Sequence, residues 1–252
     1  MSSKIAIVTG AASGIGKAVA ESLAKTGARV IVSDLNREAG ESVARAVGGR
    51  FVYADLARQS DCRGLADAAL EETGSVDILV NNAGFQHIDP IDEFPEEKWN
   101  QMIAVMLTAP FLLTKYVWPG MKRNGWGRIV NIGSVHSVRA SPFKVGYISA
   151  KHGILGLTRT AAREGGAFGI TVNAVLPAYV RTPLVENQIS DQARTRNITE
   201  EEVVESVMLA PAAVKRLVEP EEVGELVAFL CSDGAGAISG ADWTIDLGWT
   251  AG

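Results

Sequence analysis

The stretch Ile5-Ala6-Ile7-Val8-Thr9-Gly10-Ala11-Ala12-Ser13-Gly14-Ile15-Gly16 passes from a short apolar, β-branched run straight into a glycine-rich turn, and a helical pattern over 15–26 follows it. A strand feeding a turn that opens a helix is a setting in which backbone binds phosphate. Gly10, Gly14 and Gly16 permit the tight turn and a close approach to pyrophosphate, and a helix N-terminus presents unpaired N–H groups and a favourable dipole. Ser13 and Ile15, inside the turn, belong to the same expected cofactor contact. Asp34 ends the second apolar run, at about the ~20-residue separation that brings an acid to a ribose. Its carboxylate can accept hydrogen bonds from both ribose hydroxyls but repels a 2′-phosphate, which favours NAD over NADP. The turn itself carries no Arg or Lys, and Arg37 reads as a solvated residue at a helix start.

Outward from this stretch, β-branched runs alternate with helical patterns along the chain. Strands are expected over 5–8, 29–33, 51–53, 78–80, 128–132, 170–175 and 243–245, and helices over 15–26, 37–47, 60–73, 96–122, 146–163 and 221–230. Near-continuous apolar strands belong to parallel sheets buried on both faces, and β-α alternation with short connections implies right-handed crossovers. The expected fold class is α/β: a single-domain, doubly wound Rossmann fold over 1–252, its parallel sheet flanked by helices. The polar stretch 181–217 has helical patches and no strand. It reads as a helical substrate lid or, alternatively, as a packed helical excursion.

Composition narrows the function classes. Hydrophobic residues make up 47% and charged residues 21%, enough apolar surface to exclude global disorder. Glycine, at 26 of 252 residues, exceeds the usual ~7%, so the excess calls for turns of the kind already described. A net charge of −5 with no long block of one sign argues against a nucleic-acid surface. Cys62 and Cys231 fit no paired-ligand spacing, so neither a metal site nor a disulfide framework is expected. No signal-peptide pattern opens the chain and no apolar stretch reaches ~18 residues, so no membrane span is expected and the cytoplasm is the expected location.

Tyr147 and Lys151 are four residues apart in a helical stretch and share one face. A phenol with a pKa near 10 is a poor acid or base at neutral pH, but a nearby ammonium lowers the cost of its phenolate. Ser134, at the end of the strand over 128–132, can hydrogen-bond a substrate oxygen. Alone, a Tyr-x-x-x-Lys pair is commonly a surface contact. Combined with Ser134 and the glycine-rich turn, it reads as proton-transfer machinery for hydride chemistry.

The Thr9-Gly10-x-x-x-Gly14-x-Gly16 spacing, followed by Asp55-Leu56, Asn81-Asn82-Ala83-Gly84, Ser134, Tyr147 with Lys151, and Pro177-Ala178-Tyr179-Val180-Arg181-Thr182, resembles the short-chain dehydrogenase/reductase family along essentially the whole chain. The resemblance implies catalytic Ser134, Tyr147 and Lys151. It also implies cofactor contacts at Asp55, Leu56, Asn82, Ala83, Gly84, Tyr147, Lys151, Pro177, Val180 and Thr182. Within the family the likeness is to bacterial D-3-hydroxybutyrate dehydrogenases, carried by Gly84-Phe85-Gln86-His87, Ser134-Val135-His136, Ser141-Pro142-Phe143-Lys144, Thr182-Pro183-Leu184-Val185-Glu186-Asn187-Gln188 and Gly248-Trp249-Thr250-Ala251. By that likeness Gln86, His136, Lys144 and Gln188 surround a substrate carboxylate, Tyr179 forms an aromatic wall, and the assembly is a homotetramer. Each has a plainer reading alone: Lys144 as a solvated loop lysine, His136 as a satisfied loop histidine, Gln188 as an exposed helical residue. Three positions depart from the family pattern. Ala178 and Leu247 stand where glycine is usual, and Met106 stands where an asparagine usually completes a catalytic tetrad. The expected activity is NAD-dependent interconversion of D-3-hydroxybutyrate and acetoacetate. The alternatives are another polar alcohol or sugar acid as substrate, or a low-activity dinucleotide-binding regulatory protein.

Overall fold

The computed structural model describes residues 4–251. Residues 1–3 and 252, the two ends of the expected domain, lie outside the described residues. Seven strands form at the expected places: β1 (Ile5–Thr9), β2 (Arg29–Asp34), β3 (Arg50–Tyr53), β4 (Ile78–Asn81), β5 (Gly127–Ile132), β6 (Ile170–Pro177) and β7 (Asp242–Ile245). They make one parallel sheet of order β3-β2-β1-β4-β5-β6-β7. Successive residues of β1 face opposite layers, as the period-2 geometry of a strand requires. Ala6 and Val8 pack with α1 (Gly14–Lys25) and α9 (Pro220–Leu230) through Val19, Leu23, Val223 and Val227. Ile7 packs on the other side with α3 (Gln59–Thr73) and α5 (Ala109–Asn124) through Leu65, Leu113 and Val117. Helices α2 (Arg37–Ala46), α4 (Glu96–Ile103) and α6 (Val145–Gly165) also flank the sheet.

The strand order reverses direction at β1, with β2 on one side and β4 on the other. In doubly wound sheets a crevice opens at that switch point, beyond the carboxyl ends of the strands. Here the two strand ends are stitched together. Thr9 Oγ1 accepts hydrogen bonds from the backbone N–H groups of Asn82 (3.0 Å) and Ala83 (3.1 Å), and Asn82 Nδ2 donates to the carbonyls of Thr9 (2.8 Å) and Gly10 (3.1 Å). The stitching leaves no room for a side chain at position 16, where a Cβ would lie 2.1 Å from the Gly10 carbonyl oxygen.

The single helix expected over 96–122 is interrupted. A π-helical turn, Ala104–Thr108, separates α4 from α5. Pro110 explains it: proline has no N–H to donate to the Met106 carbonyl four residues back, and its ring crowds that turn, so the ladder widens. The combined run Glu96–Asn124 is long and apolar enough, by length and composition alone, to match a membrane span, as core helices of soluble proteins also are. In this fold its apolar residues Met102, Met106, Leu113, Val117 and Met121 are buried in the protein interior.

The stretch 181–217 forms α7 (Pro183–Arg196), the short α8 (Glu200–Glu202) and a π-helical turn, Val203–Met208. Its neck closes where Val180 bridges Val218, with Arg181 N–H donating to the Val218 carbonyl and Val218 N–H to that of Tyr179 (both 2.9 Å). Tyr179, Val185, Val203 and Met208 give the excursion a small apolar core of its own.

The close approach at Gly16 makes a quantitative prediction. Gly16→Ala forces the turn away from Asn82 and is expected to cost about 2–4 kcal/mol of stability, measured by denaturant unfolding. An unchanged midpoint would show that the turn tolerates a side chain.

Candidate active site

The cleft lies at the carboxyl ends of β4, β5 and β6, against Ile15 of α1 and beside α7, with about 100 Å³ of space inside it. Ser134, just beyond β5, caps the short turn Val135–Ser137. Its Oγ accepts the His136 backbone N–H (3.1 Å), while Ser137 Oγ accepts the backbone N–H of Ser134 (3.1 Å). This reciprocal cap fixes the hydroxyl at the sheet edge. Tyr147 and Lys151 project from one face of α6, with the Lys151 ammonium 5.6 Å from the tyrosine ring centre. Lys151 Nζ donates to the Ile132 carbonyl at 2.5 Å.

Burial dominates the electrostatics of this pair. It pushes the Tyr147 phenol up to about 12, against a smaller lowering by the hydrogen bond with Ser134, and pulls Lys151 down to about 8. Desolvation favours the neutral form of each group. A proton is therefore held on the phenol unless charge arrives nearby.

Toward β2 the turn presents a cradle. Ser13 caps α1 in extended conformation without a side-chain cap bond, and no acidic residue occupies the first helical turn. Gly14 adopts φ +51° and lies against Thr182, whose own hydroxyl caps α7. Asp34 accepts the Ala12 N–H (3.0 Å) and the Asn36 N–H (2.9 Å), which holds its carboxylate at the rim of the turn. Backbone that a Cβ would fill, a free helix N-terminus and an acid at the rim fit a dinucleotide. Ile15, Asn82, Gly84, Pro177, Val180 and Thr182 line the cleft itself. Gly10, Ser13, Gly14, Gly16, Asp34 and Ala83 lie outside its lining, on the turn and the neighbouring strand ends. Asp55, beyond β3, contacts Arg58 (3.2 Å) and accepts the Ala57 N–H (3.1 Å), and Leu56 is buried in the core.

On the other side of Tyr147 the cleft is lined by Gln86, His136, Lys144, Tyr179 and Gln188. Lys144 is not a solvated loop lysine: it is 2% exposed. Its ammonium donates to Tyr179 Oη (3.2 Å) and Gln188 Oε1 (3.4 Å), and among the described residues no carboxylate pairs with it. The preceding Phe143 holds φ +70°, a left-handed conformation unusual for a bulky residue. Its carbonyl accepts the Asp89 N–H (3.1 Å), and the Arg196 guanidinium of α7 sits 5.8 Å above its ring. Gln188 is buried, not an exposed helical residue. The Gln86 Oε1 is buried without a partner among the described residues. His136 Nδ1 lies 3.4 Å from Ser134 Oγ, and Nε2 lies 2.9 Å from Ser141 Oγ. Burial, reinforced by the charges of Lys144 and His152, lowers the His136 ring to about 3, so the ring is neutral near pH 7.

A family model described as enoyl-(acyl carrier protein) reductase matches residues 10–250. The chain belongs to the short-chain dehydrogenase/reductase family. A D-beta-hydroxybutyrate dehydrogenase of Rhizobium meliloti (strain 1021) is 45% identical over 98% of this chain and 99% of its own. An uncharacterized oxidoreductase of Bacillus subtilis (strain 168) is 43% identical over all of both chains. A D-beta-hydroxybutyrate dehydrogenase of Cupriavidus necator is 40% identical over 100% of this chain and 99% of its own. This short-chain dehydrogenase/reductase is an oxidoreductase of the class that uses a nicotinamide dinucleotide and a small-molecule substrate.

One cleft residue of this family member is not legible in its sequence, and one departure from the family pattern acquires a structural setting. Trp249, in the C-terminal segment, lines the cleft, stacks on Tyr179 (5.6 Å, 25°) and meets His136 edge-on (5.9 Å). The sequence marks it only as part of Gly248-Trp249-Thr250-Ala251, with nothing that places it in the cleft. Met106, in the π turn, is 2% exposed and packs with Met102, Ala150 and Tyr147, its sulfur against Gly84. A thioether is a weak acceptor and no donor, so the wall behind Tyr147 is apolar.

A buried ammonium with only neutral partners costs stability. Lys144→Met is therefore expected to raise the unfolding free energy of the ligand-free protein at pH 7 by about 1–3 kcal/mol, measured by chemical denaturation. A loss of stability instead would mean that the lysine is already well compensated.

Proposed function

We propose that this chain is an NAD-dependent dehydrogenase that interconverts D-3-hydroxybutyrate and acetoacetate. Lys144 carries the reading: a buried cation with no carboxylate partner among the described residues, in the same cleft as Ser134 and Tyr147, calls for an anionic substrate. The relatives named D-beta-hydroxybutyrate dehydrogenase, alike along the whole chain, support the same substrate.

Each expected residue then has a task. Lys144 is a point charge for the carboxylate, with Gln86, Gln188 and His136 around it as polar partners and Tyr179 as the wall. Ser134 holds the oxygen on the reacting carbon. Tyr147 Oη takes the hydroxyl proton during oxidation, and the Lys151 ammonium stabilises the resulting phenolate. The bound nicotinamide supplies the hydride acceptor or donor. Gly10, Ser13, Gly14, Ile15 and Gly16 hold its pyrophosphate, while Asp34 takes the ribose, with Asp55 and Leu56 on the adenine side. Asn82, Ala83, Gly84, Pro177, Val180 and Thr182 complete the cofactor's contacts. NAD is favoured over NADP because the Asp34 carboxylate at the rim of the turn repels a 2′-phosphate, while Arg37 is a solvated helix-start residue near Glu41 (3.7 Å). The stretch 181–217 serves as the lid that brings Gln188 to the substrate. Family likeness supports a homotetramer, and the sequence pattern supports a cytoplasmic location.

Purified protein with D-3-hydroxybutyrate and NAD is expected to produce NADH absorbance, with NADP a poor replacement. Tyr147→Phe is expected to lower the rate by about 100-fold or more. Production no greater than in that variant would reject the reading. NADH binding without turnover of any hydroxy acid would leave a dinucleotide-binding protein in its place.

A further inference from the structure

The surroundings of Tyr147 are polar on one side only. Tyr147 packs against the buried apolar cluster of Met102, Met106 and Ala150, which Phe85 and Phe94 also cover, and the Lys151 ammonium donates to the Ile132 carbonyl. A line of exchangeable groups begins at Ser134, which lines the same cleft as Tyr147 and lowers its phenol through a hydrogen bond. From Ser134 Oγ it is 3.4 Å to His136 Nδ1, and from His136 Nε2 it is 2.9 Å to Ser141 Oγ. Ser141 is half-buried and stands in the loop over 138–142, where Val138, Arg139, Ala140 and Pro142 are exposed. Both nitrogens of a buried imidazole are thus engaged by serines, one toward the reacting phenol and one toward solvent. A neutral imidazole is at once a donor and an acceptor, which is what a proton relay needs.

We propose that Ser134, His136 and Ser141 form the route by which the proton collected on Tyr147 reaches solvent. The proposal rests on Tyr147 being the proton acceptor in the reading above, and gives His136 a task beyond contacting the substrate. Once product has left and the positive charge of an oxidised nicotinamide is again beside the phenol, the Tyr147 O–H bond breaks and its proton bonds to Ser134 Oγ. The original Ser134 hydroxyl proton passes to His136 Nδ1, the Nε2 proton passes to Ser141 Oγ, and the original Ser141 proton passes to water. One proton enters and one leaves, and no group is oxidised or reduced. Tyr147 returns to phenolate, and His136 is left protonated on Nδ1. Rotation of the hydroxyls and of the imidazole, or the reverse reaction, restores the starting arrangement. His136 and Ser141 act through Ser134, so they are relay and positioning residues.

Ser141→Ala removes the outer link without touching the cleft lining. In the holoenzyme oxidising D-3-hydroxybutyrate, the expected result is a first-turnover rate of NADH formation and a KM like those of the parent. The steady-state rate should fall about tenfold or more, with a burst of NADH and a larger solvent deuterium effect on kcat. A steady-state rate within about twofold of the parent, or equal losses in first turnover and KM, would overturn the relay. A second readout needs no substrate: nitrogen-15 NMR of labelled histidine, assigned with His136→Gln. A neutral His136 at pH 7 is expected, and a doubly protonated ring would overturn the relay even if hydroxybutyrate is not the substrate. Absence of hydroxybutyrate oxidation by the parent protein counts against the substrate reading alone. The Ser141→Ala comparison is then made with cyclohexanol, and the NMR result decides if neither alcohol reacts.

Discussion

The ammonium of Lys144 is held out of water by three segments that are distant in sequence. It sits at the start of α6, donates to Tyr179 just past β6, and donates to Gln188 on α7. Removing a cation from water costs several kcal/mol unless an anion or strong dipoles replace the hydration. Tyr179 and Gln188 supply dipoles only. The geometry around the lysine is itself held in place, with Phe143 in a left-handed conformation, its carbonyl bonded from Asp89 and its ring under Arg196. Strain of this kind persists where surrounding structure over-determines it, and it clusters at functional sites. The helical excursion, the end of β6 and the α6 entry thus converge on one unbalanced charge, next to the phenol and hydroxyl that handle the substrate oxygen.

Much of the scaffold was legible beforehand, because the physics that sets it is local. Each strand is a short β-branched run, and each lies within a residue or two of its expected bounds. The glycine-rich turn was legible because only glycine fits where backbone meets backbone, as at Gly16 against the Gly10 carbonyl. The π turn at Ala104–Thr108 was missed although its cause, Pro110, stands in the sequence. A helical period over 96–122 is satisfied on either side of the break, and proline in a first turn is compatible with an ordinary helix start. Trp249 was missed as a cleft residue because its partners, Tyr179 and His136, come to it only through tertiary packing. Burial of Lys144 was equally invisible, since a lysine in a loop sequence is ordinarily solvated.

The departure at Met106 acquires a physical meaning in this setting. The side chain fills the space beside Gly84 and Tyr147 with apolar atoms, which raises the cost of charge on the phenol. Polar groups that exchange protons lie on the far side, from Ser134 through His136 to Ser141. A site sealed behind and open in front still performs acid–base work, provided that the proton travels along the open side.

The central claim is that the Lys144 charge selects an anionic substrate. Titration calorimetry of acetoacetate and of pentan-2-one, a neutral ketone of similar size, into the protein loaded with NADH tests it most directly. The account predicts that acetoacetate binds about tenfold tighter or more, about 1.4 kcal/mol, and that Lys144→Met abolishes the preference. Equal affinity for the two ketones in the parent protein, or a preference that survives Lys144→Met, would contradict it.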